Sequence, residues 1–134
     1  MKTINTPEAM EQFGAELAQE YSAPSIITLE GELGSGKTTL VRGFLRQLGH
    51  DKTVKSPTYG LVETYSLDGV VVHHFDLYRV SDMQELEEMG FADYFEDDAI
   101  CLIEWPRVAA ALLPKSDMHC VIEIHGDERK INRQ

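Results

Sequence analysis

The chain has 134 residues, 43% apolar and 26% charged, an ordinary balance for one globular domain. Its formal net charge is −11, which is at odds with a basic stripe for nucleic-acid phosphates, so any role in an RNA pathway is expected to run through a protein partner. The longest apolar run, Val108 to Leu113, is far short of the ~20 residues that span a bilayer, and the start, Met1 to Pro7, carries no apolar signal core, so a cytoplasmic protein is expected.

In chain order, Thr6-Pro7 reads as an N-cap followed by a proline in the first helical position. Met10, Phe13, Leu17 and Tyr21 then recur at helical spacing and predict a helix over 7–20. Ser25 to Leu29 reads as a short buried strand, and Leu40, Val41, Phe44, Leu45 and Leu48 give one apolar face to a helix over about 36–48, with Gly49 beyond its end. Leu61 to Ser66, Asp68-Gly69 and Val70 to Phe75 form a hairpin signal. Ser81 with Gln84 resembles a capping box for a short helix ended by Gly90. Ala99 to Ile103 is a continuous apolar run, the pattern of a strand covered on both faces, and Met118 to His125 is a last strand. Cys101 and Cys120 lie in these apolar segments and are expected as reduced core thiols. The expected organisation is one α/β domain over 1–126, with a partly parallel central sheet flanked by antiparallel strands and helices, and a polar, flexible tail over 127–134.

Between the first strand and the second helix stands Gly31-Glu32-Leu33-Gly34-Ser35-Gly36-Lys37-Thr38, a phosphate-binding loop pattern in the strand–loop–helix context it requires. Glycines let successive N–H groups curl inward as an anion nest, and the helix N-terminus adds its positive dipole end. The backbone of Gly34, Ser35 and Gly36, the Lys37 ammonium and the Thr38 and Thr39 hydroxyls are the expected phosphate and Mg²⁺ contacts. No Asn-Lys-x-Asp element for guanine is present, so ATP is the expected nucleotide. Thr6 reads as a plain N-cap, with a contact near the base as the alternative.

Two strands deliver a carboxylate at their ends: Asp76 after Val70 to Phe75, and Glu104 after Ile100 to Ile103. A carboxylate at the mouth of a buried strand is costly without a task, and these two can share metal coordination and orientation of an attacking water. Ser56-Pro57-Thr58 reads either as a switch-like loop sensing the γ-phosphate or as a proline-fixed turn. Arg79 reads either as an arginine finger or as an internal ion-pair partner. His73 and His74 alternate on a strand, one of them inward, as packing or hydrogen-bonding residues, since no ligand spacing surrounds them. Trp105 either stacks near the nucleotide or a partner, or caps the core. Residues 82–98 hold eight acidic side chains and no Lys or Arg, which reads as a solvated face or as a docking surface for a basic partner.

Gly31 to Thr39, Lys55-Ser56-Pro57-Thr58-Tyr59, His74-Phe75-Asp76-Leu77-Tyr78-Arg79, Glu85 to Gly90 and Ile103-Glu104-Trp105-Pro106 together resemble the TsaE (YjeE) family, the ATPase subunit of the bacterial tRNA threonylcarbamoyladenosine machinery. The first motif is generic; the combination of the others is specific. The resemblance implies a small P-loop fold, ATP binding and slow hydrolysis with Mg²⁺, and assembly with a threonylcarbamoyl transferase subunit and its non-catalytic paralogue. It implies no transfer of the group by this chain itself. It also implies phosphate and metal roles for Lys37 and Thr38, active-site roles for Asp76 and Glu104, Thr38 and Glu104 as Mg²⁺ ligands, a switch-like loop over Ser56 to Thr58, and Trp105 beside the site. A small-molecule kinase shares the phosphate loop but would need an arginine-bearing lid, for which no insertion is present. An ATP-sensing interaction module is the third reading, and the two carboxylates argue against a pure sensor.

Overall fold

The computed structural model describes residues 1–57 and 61–134. Among these the strands are β1 (Lys2–Ile4), β2 (Ser25–Glu30), β3 (Val62–Leu67), β4 (Val70–Asp76), β5 (Ile100–Glu104), β6 (Met118–His125) and β7 (Glu128–Arg133), joined in one sheet of order β1-β7-β6-β2-β5-β4-β3. The central strands β6, β2, β5 and β4 run parallel; β7 pairs antiparallel with β6 on one side and with β1 beyond it, and β3 pairs antiparallel with β4 on the other side. This is the partly parallel α/β sheet expected from the alternation of elements.

Helices cover both faces. Helix α1 (Pro7–Glu20) starts where the Thr6 hydroxyl accepts the Ala9 N–H at 3.0 Å, with Pro7 occupying a position whose N–H would be unused. Met10, Phe13 and Leu17 turn inward and join Leu40, Val41, Phe44 and Leu45 of α2 (Lys37–Gln47) over Ile27, Leu29, Val72, Ile100 and Leu102 of the sheet. The two helices touch backbone to backbone: a methyl at Gly14 would collide with the Leu40 carbonyl, and one at Gly43 with the Glu11 carbonyl. On the opposite face, the short helix α3 (Met83–Glu88) and the 3₁₀ segment Phe91–Glu96 bring Leu86 and Phe91 against Phe75, Cys101 and Ile103. Both thiols are buried and free, and burial pushes each up to about 12.

Three expectations need correction. The segment 127–134 is not a loose tail: β7 hydrogen-bonds to β6 and to β1, and Ile131 is 1% exposed in the core. One inward apolar residue and two strand neighbours on an exposed sheet margin are enough to order a strand whose other side chains are polar. The cap of α3 is Asp82, which accepts the Glu85 N–H at 3.2 Å, while Ser81 instead donates to the Glu85 carboxylate at 2.8 Å. Finally, both His73 and His74 are buried, because β4 is covered on each face.

Candidate active site

The parallel register sets the carboxylates side by side. Leu29 of β2 and Asp76 of β4 both lie opposite Glu104 of β5, so the C-terminal ends of three strands open onto one crevice, the usual ligand position in such sheets. The loop between β2 and α2 closes its floor. Gly34 (φ 80°) and Gly36 (φ 107°) adopt left-handed backbone that other residues resist, and a side chain at Gly31 would press on Ser35 and on the Ile122 carbonyl. The crevice, about 280 Å³, is lined by residues 33–39 of the loop with Ser56, Asp76, Glu104 and Trp105.

Lys37 is 5% exposed. Its ammonium donates to the Gly31 carbonyl and, at 3.1 Å, to the Glu32 carbonyl, and lies 4.2 Å from the Trp105 ring centroid. Burial lowers its proton affinity below that of an ordinary lysine, against the pull of Glu104 and then Asp76. Trp105 sits at φ 61°, ψ 53°, a left-handed conformation costing a non-glycine residue about 1–3 kcal/mol. Its ring packs 4.9 Å from that of Tyr78. The strained residue thus lies over the lysine on the crevice side, while it also packs against the core cluster of Phe75, Phe91 and Ile103.

Thr38 stands between Glu104 and Ser56. Its hydroxyl donates to Glu104 Oε2 at 3.2 Å and stands 2.7 Å from Ser56 Oγ. Since a hydroxyl has one proton, Ser56 is the donor of that pair, and a Thr38 lone pair stays available. Glu104 is 2% exposed, and Asp76 is half-buried. Burial is the largest influence on Asp76 and lifts it above the usual carboxylate value; the Tyr78 N–H, donating to Oδ1 at 3.1 Å, pulls the other way. Among the described residues, no three or more His, Cys, Asp or Glu side chains are grouped to hold a metal ion. The donor set here is instead two carboxylates and two hydroxyls, hard oxygens of the kind that suit Mg²⁺ when substrate phosphates complete the shell.

A second hollow, about 150 Å³, opens on the other side of the loop, between Gly34, Ser35, Gly36 and Thr39 and the segment Ile4 to Pro7 with Met10, Asp127 and Arg129. Thr6 is therefore both the cap of α1 and a wall of this hollow. Arg129 reaches across to the Gly34 carbonyl at 3.3 Å. Sequence reasoning missed Asn5, Asp127 and Arg129, which belong to the two segments it left without structure. It also missed that His74 Nε2 lies 2.6 Å from Glu104 Oε2, although the two-residue spacing of His74 and Asp76 on a strand puts both on the face toward α2. Arg79 is exposed and forms no ion pair among the described residues, so the internal-partner reading is not met. Thr58 lies outside the described residues. No described helix is long and apolar enough to cross a membrane.

The family model described as threonylcarbamoyl adenosine biosynthesis protein TsaE matches residues 4–134. A tRNA threonylcarbamoyladenosine biosynthesis protein TsaE from Haemophilus influenzae is 51% identical over 128 residues, covering 92% of this chain and 81% of the relative. The protein of the same name from Bacillus subtilis is 37% identical over 131 residues, covering 96% and 80%. The crystal structure of Bacillus YdiB superposes with a TM-score of 0.79 at 31% identity, covering 97% of this chain and 80% of that one. With a matching loop, strand-end carboxylates and relatives of this similarity across nearly its whole length, the chain belongs to the TsaE family of threonylcarbamoyl adenosine biosynthesis proteins.

Proposed function

We propose that this protein binds Mg-ATP in the glycine loop and hydrolyses it slowly. In this reading it is an accessory subunit for threonylcarbamoyl modification of the tRNA adenosine next to the anticodon. The observation that carries the proposal is the meeting of Lys37, Thr38, Asp76 and Glu104 in one crevice at the mouth of the parallel strands. Lys37 exchanges two backbone carbonyls for the β- and γ-phosphates, which outcompete them as charged acceptors. Thr38 and Glu104 would hold Mg²⁺, which when bound neutralises charge on the transferring phosphoryl group. Asp76, half-buried beside Glu104, accepts a hydrogen bond from the attacking water and orients it. Ser56, hydrogen-bonded to Thr38, ties the segment leading to Pro57 to the phosphate end of the site. The hollow walled by Thr6, Asn5 and Arg129 takes the adenine.

The group transfer itself belongs, in this reading, to a threonylcarbamoyl transferase subunit acting with its non-catalytic paralogue. A chain of net charge −11 reaches tRNA only through such partners, all of them in the cytoplasm. Phosphate release from ATP and from GTP, by the purified chain alone and with both partners added, tests the proposal. Slow release from ATP that rises when the partners are present supports it. Fast release by the chain alone, or equal use of GTP, contradicts it.

A further inference from the structure

We infer that His74 is a positioning residue for Glu104, holding that carboxylate in the orientation that receives the metal; the inference rests on the Mg-ATP reading above. His74 is wholly buried in β4, and its Nε2 lies 2.6 Å from Glu104 Oε2, the same oxygen that accepts the Thr38 hydroxyl at 3.2 Å. A carboxylate oxygen requires a donor at that distance, so the ring proton sits on Nε2. The other tautomer would set two lone pairs against each other. Two donors on Oε2 pin the carboxyl plane and leave Oε1 as the oxygen with open lone pairs. The chain of bonds then runs without a break from Ser56 through Thr38 and Glu104 to His74, from the middle loop to the interior of the sheet.

A purely structural histidine fits this position poorly. Among the described residues, His74 Nδ1 is buried without a hydrogen-bond partner, and an apolar side chain of similar size would fill the site without that orphan. The neighbouring His73 supplies the contrast: its Nδ1 meets Thr64 at 2.8 Å and its Nε2 meets Asp97 at 2.9 Å, on the opposite face and away from the crevice, so both its nitrogens are used. His74 instead leaves one nitrogen unpaired while the other serves Glu104.

The test compares wild type, His74→Met and His74→Gln. Methionine fills the space without a donor, while glutamine carries an N–H about as far from the backbone as Nε2. Mn²⁺, as a paramagnetic stand-in for Mg²⁺, is titrated by electron paramagnetic resonance into each protein bearing a non-hydrolysable ATP analogue, and analogue binding in EDTA is measured alongside. Expected are unchanged binding in EDTA, an Mn²⁺ affinity weakened about 10-fold or more in His74→Met, and near wild-type affinity in His74→Gln. Equal affinity in His74→Met, or equal loss in both variants, overturns the positioning role while leaving the Mg-ATP reading intact. A wild type that forms no ternary complex with Mn²⁺ overturns the Mg-ATP reading and this inference with it. Nitrogen-15 spectra of the unmutated histidine rings give an independent check, and an unprotonated His74 Nε2 would also overturn the inference.

Discussion

Lys37 gives up water for two backbone carbonyls and the face of Trp105, none of which neutralises its charge. Glu104 and Asp76 raise its proton affinity without bonding to it, and burial outweighs both. Such an ammonium is held ready for a polyanion, so Lys37→Ala should weaken ATP binding by about 1.5–3 kcal/mol, roughly 10- to 150-fold, measured by calorimetric titration. Unchanged affinity would remove the lysine from the phosphate contacts. The thiols behave differently. Burial carries Cys101 and Cys120 from 9.0 up to about 12, so each holds its proton more tightly folded than unfolded. Their contribution to stability is whole below about pH 9 and is lost as pH rises toward 12. Both should resist alkylation at pH 8 in the native protein and react fully in denaturant. Most of these residues were legible because their chemistry is tied to a motif or to a strand end. His74 was not, because a buried histidine has no signature until its partner across the sheet is known.

At the scale of elements, the Gly14–Gly43 crossing brings α1 close enough to α2 that the N-terminal segment can wall the phosphate loop. Gly43→Ala would drive a methyl into the Glu11 carbonyl, and the chain must part the helices to accept it. The expected cost is about 1–3 kcal/mol, read as a lower thermal midpoint. In the same hollow, β7 and the turn before it position Arg129 and Asp127, and Ile131→Ala should cost about 2–5 kcal/mol by emptying its core contact. An unchanged midpoint in that variant would mean β7 is dispensable. The long amphipathic helices, the Asp68-Gly69 hairpin and the buried β5 were readable from period and turn chemistry. β1 and β7 were not: each carries one inward apolar residue, Ile4 or Ile131, and their order comes from pairing with each other and, for β7, with β6. Ser81 and Asp82 are both good caps in sequence, and only the helix start decides between them.

At the scale of the whole molecule, four parallel strands direct their C-terminal ends to one side, and the glycine loop, both carboxylates and the Trp105–Tyr78 pair gather there. The acidic residues of 82–98 lie on the opposite sheet face from α1 and α2, where Asp82 caps α3 and Asp97 meets His73. In the proposed function this crevice both binds and hydrolyses ATP through its strand-end carboxylates. The most direct test is Glu104→Gln beside wild type, with ATP binding and single-turnover phosphate release measured on the same preparations. ATP binding retained, with release slowed about 10²-fold or more, is the predicted result. Phosphate release equal to wild type would contradict it.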